Sequence, residues 1–153
     1  MPPSFQFRLE PVRSLAERRE TEAQSALAAA LADESSARSA LADADARSRA
    51  AVAALGTCLN AGSGGTVTGA QLRAQEVWIG STLVHREAAA LDVDRRVTET
   101  GARRGLLVEA ARDHEVLERL RERRAAEHRA TCARIEQEGL DEIALGLHRR
   151  RSA

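Results

Sequence analysis

Alanine returns at every seventh position from 16 to 51, at 16, 23, 30, 37, 44 and 51, and Leu27, Leu41 and Leu55 each follow one of them by four residues. A period of seven split into four and three places these side chains on one stripe of an α-helix, the seam of a coiled coil. Small residues at one seam position let a partner helix come close. Glu34 and Ser48 stand where leucine would be expected, so the seam is imperfect. Pro11 suits the first turn of a helix, and SLAE at 14–17 offers a second, weaker capping-box start. With no further proline and no glycine until Gly56, the pattern predicts one helix over 11–59. At 1.5 Å per residue it would be about 70 Å long.

The periodicity stops at NAGSGGTVTG, residues 60–69, which hold four glycines and predict a turn. TGAQ at 68–71 has the capping-box spacing that restarts a helix. A second helix is expected over 70–149, with apolar positions at Leu72, Ile79, Leu83, Val93, Val97, Leu107, Leu117, Leu120, Ile135, Ile143 and Leu147. Asp92 with Arg96, Glu99 with Arg103 and Glu115 with Arg119 are acid-first pairs four apart, the order that supports a helix. Gly101 and Gly105 are expected to bend or loosen it, and Gly139 and Gly146 to loosen its end.

Two long helices around a short turn predict an all-α fold: a long antiparallel two-helix coiled-coil hairpin, one domain over 1–153. Folding about residue 65 sets Pro11 near residue 119 and leaves the last twenty or so residues extending past the first helix. An alanine-rich stripe buries little area, so such a pair is expected to gain order from partners.

Composition agrees. The only aromatics are Phe5, Phe7 and Trp78, and charged residues make up 30% of the chain. The 23 basic residues, all arginine, are balanced by 23 acidic ones, which removes the global field that would steer a chain to nucleic acid. No apolar run reaches the length of a membrane span, and MPPSFQFRLE lacks the features of a secretory signal. These observations predict a cytoplasmic protein without nucleic acid and without direct membrane insertion. Cys58 and Cys132 are expected as free thiols.

Candidate chemistry is sparse. A two-helix arrangement offers no cavity that excludes water, so no catalytic residue, metal or cofactor is assigned. The glycines of the turn lack the lysine and preceding strand of a phosphate-binding loop. His128 and Cys132 share a helix face, but two ligands do not make a zinc site, and DHEVLE at 113–118 lacks a second histidine. Trp78, Ser81 and His85 share one helix face, with Ile79 and Leu83 on a neighbouring one. Trp78 there either closes the end of the coiled coil or forms a recognition patch. In LERLRERRAAEHR, residues 117–129, Leu117, Leu120, Arg124 and His128 form one stripe, flanked by Glu118, Arg119, Glu122 and Arg123. This arrangement reads as a solvated flank or a protein-docking surface.

The two ends carry a resemblance. FQFRLEPV at 5–12 and VLERLRERRAAEHRATCARIEQEGLDEIAL at 116–145, with LDEIA at 140–144, resemble the FliJ family of flagellar export proteins. The resemblance implies a helical hairpin with no enzymatic activity. It would act as a stalk that enters the hexameric export ATPase FliI, touches the export gate protein FlhA and is linked to export chaperones. It also implies residence at the membrane through that apparatus. Carried onto this chain, the ATPase-binding residues would be Phe7, Leu9, Arg119, Arg123, Arg124, Glu136, Asp141 and Glu142. The export-gate-binding residues would be Trp78, Ile79, Ser81, Leu83 and His85. The competing readings are a self-associating structural coiled coil and the corresponding stalk of a virulence-type injectisome.

Overall fold

The computed structural model describes residues 4–61 and 67–151. Two helices account for nearly all of them: α1, Glu10–Ala61, and α2, Gly69–Arg151. Among the described residues there is no strand. The reversal expected over 60–69 lies in its middle, 62–66, outside the described residues. Asn60 and Ala61 close α1, and Gly69 opens α2.

The helix starts follow local chemistry. Glu10 N–H donates to the Phe7 carbonyl at 3.0 Å and Arg13 N–H to that of Leu9 at 2.9 Å, so α1 begins just before Pro11. SLAE is therefore not a cap: Ser14 is already inside the helix. At the other start the capping box is formed. Thr68 N–H donates to Gln71 Oε1 at 2.9 Å, and Gln71 N–H donates to Thr68 Oγ1 at 3.3 Å. The helix α2 runs without interruption through Gly101, Gly105, Gly139 and Gly146. A Cβ built at any of the four meets nothing within 4 Å, so no close approach of another backbone accounts for these glycines.

The chain divides into two compact units, each an antiparallel pair of helix segments. In the unit 23–107, the Thr100 hydroxyl donates to the Ala30 carbonyl at 3.4 Å, and Gln75 Nε2 donates to the Ala51 carbonyl at 2.9 Å. Arg96 pairs with Asp33 and Arg86 with Asp45. As the α1 number rises the α2 number falls, which is the signature of antiparallel helices. Ala30, Ala37, Ala44 and Ala51 are buried, and so are Thr82 and Thr100 opposite them. Ala23 is half-buried. Glu34 and Ser48 are also buried, Glu34 to 6% exposure, so the seam is unbroken in space although it is polar there. Glu34 is satisfied by Arg38 at 2.6 Å.

In the unit 1–22 with 108–153, Arg13 meets Glu118 and Glu20 meets His114, again in antiparallel order. Ala16 is the buried alanine of this seam. Phe5 lies against the His128 ring, with centroids 5.6 Å apart. From Ala133 to Arg151 every residue is exposed except half-buried Gly146, so Ile135, Leu140, Ile143 and Leu147 are uncovered. Cys58 and Cys132 are free.

Candidate functional site

The helix ends of the unit 1–22 with 108–153 are tied by a polar network. The Arg13 guanidinium donates to Glu118 Oε1 at 2.6 Å and, through Nε and Nη2, to Glu10 Oε1 at 2.9 and 2.7 Å. Arg121 approaches Glu10 at 3.7 Å and Glu118 at 3.6 Å. The hydrogen bond from Arg13 holds the carboxyls of Glu10 and Glu118 below the usual carboxylate range, outweighing the opposing effect of desolvation. In return, Glu10 and then Glu118 push Arg13 further up. One turn away, His114 Nδ1 lies 2.7 Å from Glu20 Oε2. Its Nε2 is buried without a hydrogen bond, 3.6 Å from Glu118 Oε1.

Above this network the chain before α1 folds onto α2. Phe7 and Leu9 line an open groove of about 570 Å³ together with Gln6, Arg8, Leu120 and Arg124. Of the residues expected at an ATPase contact, the fold therefore gathers Phe7, Leu9 and Arg124. Arg119 and Arg123 are exposed on the same helix and take local partners, Glu115 at 2.5 Å and Glu127 at 4.0 Å. Arg124 also reaches Glu127, at 2.9 Å. Glu136, Asp141 and Glu142 are exposed further along α2, where Gln137 donates to Asp141 at 3.0 Å. Glu118 is not a solvated flank: it is half-buried and serves the interhelix network.

In the unit 23–107, Trp78, Ser81 and His85 border a small groove with Ala44, Arg47 and Thr82. Trp78 remains 54% exposed, so it does not close the end of the helix pair, and the first of its two readings is set aside. The His85 ring is held to its own helix, with Nδ1 2.7 Å from the Ser81 carbonyl. Ile79 is half-buried in the seam toward α1, while Leu83 is exposed. The five candidate gate residues thus do not form one surface: Trp78, Ser81 and His85 stand together, without Ile79 and Leu83.

The model of the family described as flagellar FliJ protein matches residues 5–153. The chain belongs to the flagellar FliJ family. It is thereby a component of the flagellar export apparatus, from a family of structural export proteins. Among curated proteins and solved structures nothing matches. No helix among the described residues is long and apolar enough to cross a membrane. Nor do the described residues hold a group of three or more His, Cys, Asp or Glu able to bind a metal ion; His128 and Cys132 stay a pair, 3.7 Å apart.

The network of Arg13, Glu20, His114 and Glu118 went unread in the sequence of this FliJ-family chain. One signal pointed to it. Glu20 stands four residues after Ala16, the place of leucine in the repeat, and a carboxylate in a seam calls for a partner across it.

Proposed function

We propose that this chain is the non-enzymatic stalk of the flagellar export apparatus. It docks on the hexameric export ATPase, FliI-like, through the unit that joins both ends of the chain. It touches the export gate protein, FlhA-like, through the Trp78 face. The observation that carries the ATPase assignment is the groove in which Phe7 and Leu9, from before α1, meet Leu120 and Arg124 of α2. Beside that groove, Arg119, Arg123 and Arg124 are exposed and held only by neighbours three or four residues away on their own helix. Exposed pairs of this kind contribute little to folding and exchange readily, so these guanidiniums are available to carboxylates of a surrounding ring. Glu136, Asp141 and Glu142 extend the contact with opposite charge.

For the gate, exposed Trp78 beside Ser81 and His85 supplies the aromatic anchor that dominates small protein interfaces. Export chaperones are further partners, and the protein works in the cytoplasm, peripheral to the membrane through the apparatus. The flagellar assignment is preferred to an injectisome stalk because the matching family model is the flagellar one.

The test is ATP hydrolysis by the purified export ATPase with and without this protein. Arg123→Glu with Arg124→Glu should lower the stimulation while leaving the helical circular dichroism unchanged. Undiminished stimulation removes these arginines from the docking surface.

A further inference from the structure

The face of α2 turned away from α1 carries a second repeat. Ala70, Ala74, Val77, Ser81, Val84, Ala88 and Leu91 follow one another at alternating spacings of four and three, and none is charged in a chain of 30% charged residues. Through the same stretch Leu72, Gln75, Ile79, Thr82, Ala89 and Val93 are buried or half-buried on the side toward α1, and Ser81, Ala90 and Asp92 are half-buried as well. The first set lies on the opposite side of the helix. Its large members are uncovered, with Val77 73% exposed, Val84 65% and Leu91 54%, while Ser81 is half-buried beside Ala44. A helix with a seam on each side is built to pack twice.

The pattern of sizes selects the occupant. Small Ala74, Ser81 and Ala88 alternate with large Val77, Val84 and Leu91. When two such stripes run antiparallel, each small position faces a large one: Ala74 opposite Leu91, Ser81 opposite Val84, and Ala88 opposite Val77 of the other copy. Run parallel, large would meet large and small would meet small, which leaves overfilled and empty layers in turn. The flanks agree with the antiparallel match. On one edge stand Arg73, Gly80, Glu87 and Asp94, and on the other Trp78, His85 and Asp92. In that register Arg73 of one copy faces Asp94 of the other, and Trp78 faces His85, each contact occurring twice by symmetry. Arg73 and Asp94 are both exposed and have no ion-pair partner among the described residues.

We propose that two copies of this chain pair antiparallel through the outward face of α2 between Ala74 and Leu91, in a register centred between Thr82 and Leu83. The seam between α1 and α2 already uses the same device, an antiparallel contact with alanine at alternate positions. The pairing needs no other component of the export apparatus and does not depend on the partner assignments above. It covers Trp78, so a paired chain has its gate-facing surface closed.

The test is sedimentation equilibrium of the purified full chain from about 1 to about 200 µM. A monomer–dimer equilibrium within that range is expected. Val84→Glu, which places a carboxylate in the middle of the stripe but away from α1, should raise the dissociation constant more than about tenfold without loss of helical circular dichroism. Arg73→Glu and Asp94→Arg should each weaken pairing, and the double variant should restore it. A wild-type chain that stays monomeric throughout overturns the proposal and leaves the face to a helix of another protein. A dimer indifferent to Val84→Glu overturns it as well. A dimer weakened by both single charge reversals but not restored by the double one overturns the antiparallel register.

Discussion

The Arg13 guanidinium donates to Glu118 at 2.6 Å across 105 residues of sequence, and through Glu10 the same side chain also ties down the first turn of α1. Because this one cation holds two carboxyls below their usual range, its contribution depends on pH with a definite sign. A carboxyl depressed by folding stabilises above its unfolded value, near 4.5, and the stabilisation is lost as pH falls through the folded value. The melting temperature should therefore drop as pH is lowered below about 4.5, and Arg13→Gln should make that drop shallower. Thermal melts of both proteins at several pH values measure it; parallel curves would remove Arg13 from the acid response.

Glu20 and His114 meet as half-buried polar groups across the seam between α1 and α2. Either Glu20→Leu or His114→Leu alone strands its partner and should cost about 1 to 3 kcal/mol. The two together should recover most of that loss and can exceed the wild type. A double-mutant cycle in urea reads the coupling, and additive losses would show that the two side chains do not support each other.

The buried alanines set how closely the helices approach. Ala51, at 2% exposure, has no room for a branched side chain, so Ala51→Leu should destabilise by about 1 to 3 kcal/mol through overpacking. Ala53, two residues on and exposed, should accept the same change almost silently. Denaturant midpoints of the two variants make the comparison.

Gly101 and Gly105 sit inside α2 with open space where a Cβ would be. Gly101→Ala and Gly105→Ala should each stabilise by about 1 kcal/mol, visible as a higher melting temperature. A fall instead would mean that another molecule approaches the backbone there.

Most of the hairpin was legible because its information is periodic. The alanine row from 16 to 51 and the Thr68–Gln71 capping box are short-range patterns, and the structure realises both. The register followed from the turn, which is why Pro11 was expected near residue 119 and the Arg13–Glu118 pair lies beside it. What escaped is what depends on the far side of the seam. The repeat put Glu34 in the seam, but how a buried carboxylate is tolerated there depends on Arg38, one turn on, reaching back to it. Trp78 looked equally suited to closing the helix pair or to standing free, since its position on the helix borders the seam without lying in it. Only three of the eight candidate ATPase residues are gathered in one groove, for a similar reason. Phe7 and Leu9 fold back onto Arg124, whereas Glu136, Asp141 and Glu142 lie on helix that nothing from α1 covers.

The alanine contact between α1 and α2 has a consequence for how such a chain can change over time. Its cohesion resides in a few small side chains recurring every seventh residue, while most outward positions bear on nothing within the molecule. Substitutions can therefore accumulate across most of the surface without disturbing the pair. Kinship in a chain of this kind persists as rhythm long after letter-by-letter identity has faded.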